Sequence, residues 1–415
     1  MSSNRQRRNR YARWSRGWSR LSVHLFTTSL SWRNLWYRQA QFMTALAAIT
    51  FVVFLLFAQL GVRHALATTS AAFVEHLDAD LVMVNPKRYV SNVEQPFSRQ
   101  RLYQARSLTS VTAAYPLYIT LGNWRQIESP QGRPIRILAF NPDQPVFLMP
   151  EVQAVQKSLK LTNTVLSDRQ SRQVYGRLSA GVRADLSGQP VTVVGEFSLG
   201  ATFISDGNLI MSDRTFIKLF ANQPSNFEGG VRSSLNQVDI GLLKVAPEAD
   251  IESVVRQLNL RLPADVVVKP KQQWLQEEAA FWLRSTAIGF IFELGAAMAF
   301  VVGIVMVYNV IYTNINNHLS QYATLRAMGH PHRYLRQIVF SQALIVAVFG
   351  FIPGVFLSLG FYRVVNLLTG LLMEMESAIL YQVFGLTLSM CLVSGQIALR
   401  KLRALDPVDA MRQHI

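Results

Sequence analysis

The sequence predicts an α-helical membrane protein with four transmembrane helices and a large extracytoplasmic α+β domain between the first and the second. Three observations predict it. Four apolar runs each reach the ~20 residues that a helix needs to cross the hydrocarbon core. The long stretch between the first two runs mixes short β-rich segments with helical ones, and no part of it is apolar for that length. Basic charge is concentrated in alternate short loops, so all four runs take one consistent orientation.

Composition points the same way. The 415-residue chain is 50% hydrophobic and only 16% charged, with a formal net charge of +16; soluble domains carry about 25% charged residues. The single cysteine, Cys391, lies in an apolar run. No internal disulfide is therefore possible, and an extracytoplasmic domain must be held by its own core.

Residues 1–38 form a basic cytoplasmic segment. Arg5, Arg7, Arg8, Arg10, Arg13, Arg16, Arg20, Arg33 and Arg38 precede any acidic residue, the first of which is Glu75. Trp14, Trp18, Trp32, Trp36 and Tyr37 are interleaved with them. Such a mixture suits single-stranded nucleic acid or an amphipathic helix on an anionic inner leaflet. Its place just before a span favours the leaflet, with an interfacial helix from Leu21 to Tyr37 and no nucleic acid. Residues 39–63 hold the first span, Phe42 to Val62. Ala65-Leu66-Ala67 resembles a signal cleavage site, but the apolar run is too long and the basic region too extended for a signal peptide.

Residues 64–283 read as the extracytoplasmic domain. Strands are predicted at Leu81–Val84, Tyr115–Leu121, Ile135–Phe140, Val191–Phe197, Asn208–Met211, Val238–Val245 and Val266–Lys269. Helices are predicted at Glu151–Tyr175, Asp213–Phe220 and Ala249–Leu260, the last capped near Asp250. Asn85-Pro86, Gly132-Arg133-Pro134, Asn141-Pro142-Asp143, Ser187-Gly188 and Asp206-Gly207 mark turns between them.

Residues 284–415 hold the remaining spans. The second runs from Ser285 to Tyr312 and contains Glu293, an intramembrane acid or, because the helix is long, a solvated residue at its outer end. The third, Ile338 to Phe361, contains Gly350 and Gly354 on either side of Pro353; small residues at this spacing let helices approach closely. The loop from Arg363 to Ser377 is poor in basic residues and fits the outer face. The fourth span, Ala378 to Ala398, is followed by Arg400, Lys401 and Arg403, which places the C-terminus inside.

Between the second and third spans lies a basic loop, Asn314 to Gln337, with Arg326, Arg333 and Arg336 and no acid. Good helix formers from Gln321 to Met328, then Gly329 and Pro331, predict a short helix along the inner surface. Tyr322, Leu325 and Met328 recur at helical spacing and form an apolar face, for lipid or for a partner.

Motifs for chemistry are few. The sequence contains no Gly-x-x-x-x-Gly-Lys-Ser/Thr phosphate loop and no nucleophile elbow or His-Glu-x-x-His helix. His330 and His332 have no cysteine or carboxylate near them in sequence to complete a metal site. Glu277 and Glu278 are adjacent, which on a helix does not put them on one face.

The stretch Gln321-Tyr322-Ala323-Thr324-Leu325-Arg326-Ala327-Met328-Gly329 resembles the motif after the second span in FtsX/MacB-type permeases. The tail Ala404-Leu405-Asp406-Pro407-Val408-Asp409-Ala410-Met411-Arg412 resembles their C-terminal signature. Phe281-Trp282-Leu283-Arg284-Ser285-Thr286 through Phe292, and Asp239-Ile240-Gly241-Leu242-Leu243-Lys244 before it, are similar to the DevC branch, the permease subunits of cyanobacterial exporters. The resemblance runs from about Leu30 to the tail and is loosest through Glu151–Gly230. It implies a MacB-like, type VII ABC transporter architecture in the bacterial inner membrane, with both termini cytoplasmic. It also implies a homodimer in the lipid membrane, a separate ATPase subunit holding ATP and Mg, no cofactor in this chain, a periplasmic adaptor and, beyond it, an outer-membrane tunnel protein. On this resemblance Tyr322, Leu325, Arg326, Met328 and Gly329 form the ATPase-coupling helix, Asp406 and Pro407 mark the C-terminal motif, and the spans transmit force rather than conduct substrate. The implied cargo is a glycolipid or envelope component. Two positions depart from the family pattern: Gln321 replaces a frequent acid, and Glu293 has no family counterpart. The same architecture also serves signalling proteins that control a cell-wall hydrolase, and a motor-less membrane scaffold is the reading of another class.

Overall fold

The computed structural model describes residues 39–126, 131–176, 178–203, 205–221, 234–317, 328 and 332–403. Four helices among them are long and apolar enough to cross a membrane. They are α1 (Gln39–Glu75), α8 (Ala287–Asn317), α9 (His332–Thr369) and α10 (Ser377–Arg403). The chain divides into two compact units.

Of the described residues, those within 1–61, 292–362 and 375–415 form the first unit. One apolar core runs through it, with Ile49, Val53 and Phe57 of α1, Val307 and Ile311 of α8, Val339 and Ala347 of α9, and Val383 and Met390 of α10. Close approach of α1 and α9 is set by small residues. A Cβ on Gly350 would stand 2.6 Å from Ile49 Cγ2, and one on Gly354 would stand 2.6 Å from Val53 Cγ1. Thr50 Oγ1 donates to the Gly350 carbonyl at 3.2 Å. Further along, Tyr362 donates to the Phe57 carbonyl at 2.8 Å, and its ring tip occupies the space where a side chain on Gly61 would go. Pro353 sits inside α9 without ending it.

The second unit, the inserted domain, comprises residues 62–291 and 363–374. Its strands are β1 (Leu81–Val84), β2 (Phe97–Ser98), β3 (Val111–Gln126), β4 (Arg133–Phe140), β5 (Thr164–Asp168), β6 (Arg183–Leu186), β7 (Gln189–Phe197), β8 (Asn208–Ser212), β9 (Gln237–Val238), β10 (Ile240–Val245) and β11 (Val267–Pro270). Its shorter helices are α2 (Gln100–Arg106), α3 (Pro150–Ala154), α4 (Gln156–Leu159), α5 (Asp213–Phe220), α6 (Ile251–Arg261) and α7 (Lys271–Arg284). One nine-stranded sheet has the order β11-β1-β10-β3-β4-β8-β5-β7-β6, and a further β3–β6 pairing closes the part from β3 to β6 on itself. The 16-residue β3 makes this possible. Its first half pairs with β10, and its second half pairs with β4 and β6.

Alternation along each strand sends side chains to two cores. Ile135, Ile137 and Ala139 enter one, with Leu209 and Met211. Leu138 and Phe140 enter the other, with Ile210, Leu166 and Phe73 from the end of α1. The Asp250 cap is present: its Oδ2 accepts from Ser253 N at 3.0 Å. Ser212 caps α5 in the same way.

Several elements differ from the sequence expectation, among them β3, which is longer than predicted, and α2 and α7, where no helix is predicted. The helix expected over Glu151–Tyr175 is instead the short α3 and α4, then strand β5, then a turn of 3-10 helix at Gln173–Tyr175. Asn163, at φ 60°, turns the chain, and the fully buried run Thr164–Asp168 pairs with β7 and β8, so burial between two strands overrides the helical propensity before it. Helix α1 does not stop with its apolar run but continues to Glu75. At 37 residues it is about 55 Å long, well beyond the ~30 Å hydrocarbon core. Likewise α9 continues past Phe361 to Thr369, and residues 363–374 belong to the inserted domain.

Candidate functional site: a buried polar centre and a docked loop

Strand β4 carries a charge where its alternation calls for an apolar residue. Arg136 follows the register of Leu138 and Phe140, so its side chain enters the second core, where it is 1% exposed. Its Nε donates to Asn208 Oδ1 at 2.8 Å, and its guanidinium lies 5.0 Å from the centre of the Phe73 ring. Burial pushes its pKa down to about 10, against the opposing charges of Glu278 and Asp168.

Asn208 is the bridge. Its Nδ2 donates to Asp168 Oδ2 at 2.6 Å and to the Gly200 carbonyl at 2.8 Å. Asp168, at the end of β5, is fully buried. Its two oxygens also accept from the backbone N–H groups of Gln170, Leu199 and Gly200 at 3.0, 3.1 and 2.9 Å. Both oxygens of this buried carboxylate therefore have hydrogen-bond donors, which offsets the cost of taking it out of water.

A second acid faces the same centre from α7. Glu278 is 2% exposed and accepts from both the N–H and the hydroxyl of Ser91. Burial raises its carboxyl above the usual range, while the Ser91 hydrogen bonds and the Arg136 charge act the other way. Its neighbour Glu277 turns to the surface and pairs with Lys269 at 2.6 Å. Beside this centre a buried ion pair, Arg88 with Asp239, ties the segment after β1 to the start of β10. Arg88 Nη1 donates to the Ser91 carbonyl at 2.8 Å, and Asp239 Oδ2 accepts from Ile119 N at 2.9 Å.

The loop after α9 docks on the other end of this network. Arg172 Nε donates to the Thr369 carbonyl at 2.8 Å. Leu371 forms a parallel bridge with Ala201, and Leu371 and Met373 are buried. Gly370 has φ 68°, and a Cβ there would lie 2.8 Å from the Gln170 carbonyl, so glycine is required on two counts. Gly200, at φ 94°, faces Leu372. A continuous path of polar contacts therefore runs from Arg136 through Asn208 and Asp168 to residues 199–201, which hold the loop.

The residues singled out from sequence fall elsewhere. Tyr322, Leu325, Arg326, Gly329, Asp406 and Pro407 lie outside the described residues. Met328 is exposed and in a turn. Glu293 is exposed on α8. Gly350 and Gly354 meet α1 as described above. The polar centre was not anticipated. Its signals were an arginine inside an apolar strand pattern and an acid closing the run Thr164-Val165-Leu166-Ser167, and neither names its partners.

The fold is that of an integral membrane protein with an α/β domain inserted between its first and second membrane helices. Residues 294–407 match the family model described as FtsX-like permease C-terminal. No match was found among curated proteins. Solved structures similar to part of the chain include the periplasmic region of MacB from Actinobacillus actinomycetemcomitans, at 11% identity and a TM-score of 0.31, covering 48% of this chain and 92% of that one. The extracellular domain of the noncanonic ABC-type transporter YknZ from Gram-positive bacteria is similar at 12% identity and a TM-score of 0.30, covering 46% and 98%.

Proposed function

We propose that this chain is the permease subunit of an ABC-type exporter of the DevC kind, working as a homodimer in the inner membrane with both termini cytoplasmic. The observation that carries the proposal is the match of residues 294–407, from the second membrane helix to the tail, to the FtsX-like permease C-terminal model. A separate ATPase holds ATP and Mg; the chain itself contributes no cofactor. Tyr322, Leu325, Arg326, Met328 and Gly329 form the element on which that ATPase pushes, with the tail motif at Asp406 and Pro407 beside it. Movement reaches the inserted domain through helices that are continuous with it, α1, α8 and α9. The domain drives a glycolipid or envelope component through a periplasmic adaptor and an outer-membrane tunnel.

Physical reasoning supports the division of labour. Nucleotide phosphates need backbone cradles and a lysine in a P-loop, and this sequence supplies none. A captive helix between two membrane spans can turn a push into tilt. The test is a pull-down of the full chain from mild detergent with mass spectrometry, paired with the double variant Leu325→Asp/Met328→Asp. Recovery of an ATPase and an adaptor, with ATP hydrolysis stimulated by the wild-type chain and not by the variant, is the expected result. Equal stimulation by the inserted variant defeats the coupling assignment. Recovery of a cell-wall hydrolase in place of the adaptor defeats the export reading.

A further inference from the structure

Arg136 is only partly satisfied. Its Nε is bonded, but among the described residues Nη1 and Nη2 have no hydrogen-bond partner. Asp168 is already used by four donors, and Glu278 is engaged by Ser91. A forked, charged edge left without acceptors in a protein interior is costly. Such an edge is kept where something fills it.

The space to be filled is present. Arg136 borders a cavity of about 230 Å³, walled also by Ser91, Asn92, Glu94, Thr120 and Leu121. The topology leaves this gap. On one edge β3 pairs with β10 as far as Leu117 and with β6 only from Trp124. Between them the strand edge is covered by the segment that follows β1 rather than by another strand.

We propose that this cavity is a binding site for an oxyanion, the carboxylate or phosphate of a small polar ligand, held by the Nη1/Nη2 fork of Arg136. The planar guanidinium fork matches two oxygens of such a group, which a lysine would not. The cavity is below the ~300–1,000 Å³ of sites that enclose a whole drug-sized ligand, so it takes a head-sized moiety. Glu94, whose Oε1 accepts from Thr120 at 2.7 Å, is an acceptor in the wall for a hydroxyl or ammonium on the body of the ligand. The site selects for a ligand that presents an anion at one end and a donor near it.

The experiment uses the full chain in lipid nanodiscs and follows its thermal unfolding midpoint. Sodium acetate and sodium phosphate are titrated separately against sodium chloride at matched ionic strength. The expected result is a saturable rise of several degrees with one of the two probes or both; which probe acts identifies carboxylate or phosphate as the ligand group. Arg136→Lys should weaken the effect by about tenfold or more, the value of one charge-assisted hydrogen bond. Arg136→Met should abolish it. Leu121→Trp, which fills the cavity while keeping the arginine in place, should abolish it too, and it decides the matter if the Arg136 variants fail to fold. A wild-type midpoint that moves no more than in chloride overturns the proposal and leaves the cavity to water. So does a response that survives Leu121→Trp.

Discussion

Glu278 shows how one residue can carry a pH signature for a whole domain. Its carboxyl is raised above its ordinary value of 4.5, chiefly by burial. Over the window between 4.5 and the raised folded value, the folded chain holds a proton that the unfolded chain has released. The contribution of Glu278 to stability is therefore fully present below 4.5 and is lost as pH rises through that window. Glu278→Gln keeps an acceptor for the Ser91 N–H and hydroxyl but cannot ionise. The variant should gain stability relative to wild type as pH is raised from 4.5 towards neutrality, with the difference vanishing in acid. Thermal midpoints of both proteins in detergent across this range check it; a difference constant with pH would mean that the carboxyl ionises alike in both states. Arg136 and Asp168 illustrate what single residues reveal in sequence. In the sequence Arg136 is only a charge in an apolar strand, and its partners Asn208 and Asp168 are brought in by strand pairing across long separations. Nothing local in the sequence encodes that pairing.

At the scale of elements, the membrane helices were the most legible part of the chain, because a long apolar run is a local property. Their ends were not. Helices α1 and α9 run on where the apolar pattern stops, and the tertiary contacts that sustain these turns, such as Phe73 in the domain core, are absent from the pattern. The misread segment at Glu151–Tyr175 has the same cause. Its helix formers are real, but β5 gains more by lying between β7 and β8. The Gly350/Gly354 pair supports a sharper prediction, since both glycines face α1 within van der Waals range of Ile49 and Val53. Gly354→Leu should push α1 and α9 apart and destabilise the membrane unit by about 1–3 kcal/mol, the usual cost of overpacking. The same change at Gly360, where a Cβ meets nothing within 4 Å, should be close to neutral. Comparing unfolding of the two variants in matched detergent tests the packing rather than the general intolerance of a helix to leucine; equal losses would refute it.

For the whole molecule, the chain passes between its two units four times, near residues 61–62, 291–292, 362–363 and 374–375. Three of the passages are made inside helices α1, α8 and α9, which the proposed mechanism uses as levers. The fourth follows the loop that Arg172, Ala201 and Gly370 hold against the domain. In the proposed exporter, work delivered by an ATPase passes through these connections, and the docked loop either moves during the cycle or anchors it. A disulfide separates the two. Ala201 and Leu371 are paired in a parallel bridge, close enough for a cysteine pair to be tried without large backbone movement. The only native cysteine is Cys391, so Ala201→Cys/Leu371→Cys in a Cys391→Ala background leaves one possible bond. Because the loop buries Leu371 and Met373 and bridges to Ala201, next to the Leu199 and Gly200 N–H groups that hold Asp168, its release would expose apolar surface and loosen that segment, which argues for an anchor. Oxidation should therefore leave ATP-driven transport within about twofold of the reduced protein and raise the unfolding midpoint, as closing a long loop does. Transport that stops on oxidation and returns on reduction, with ATP hydrolysis unchanged, would identify the loop as a moving part and reverse that assignment.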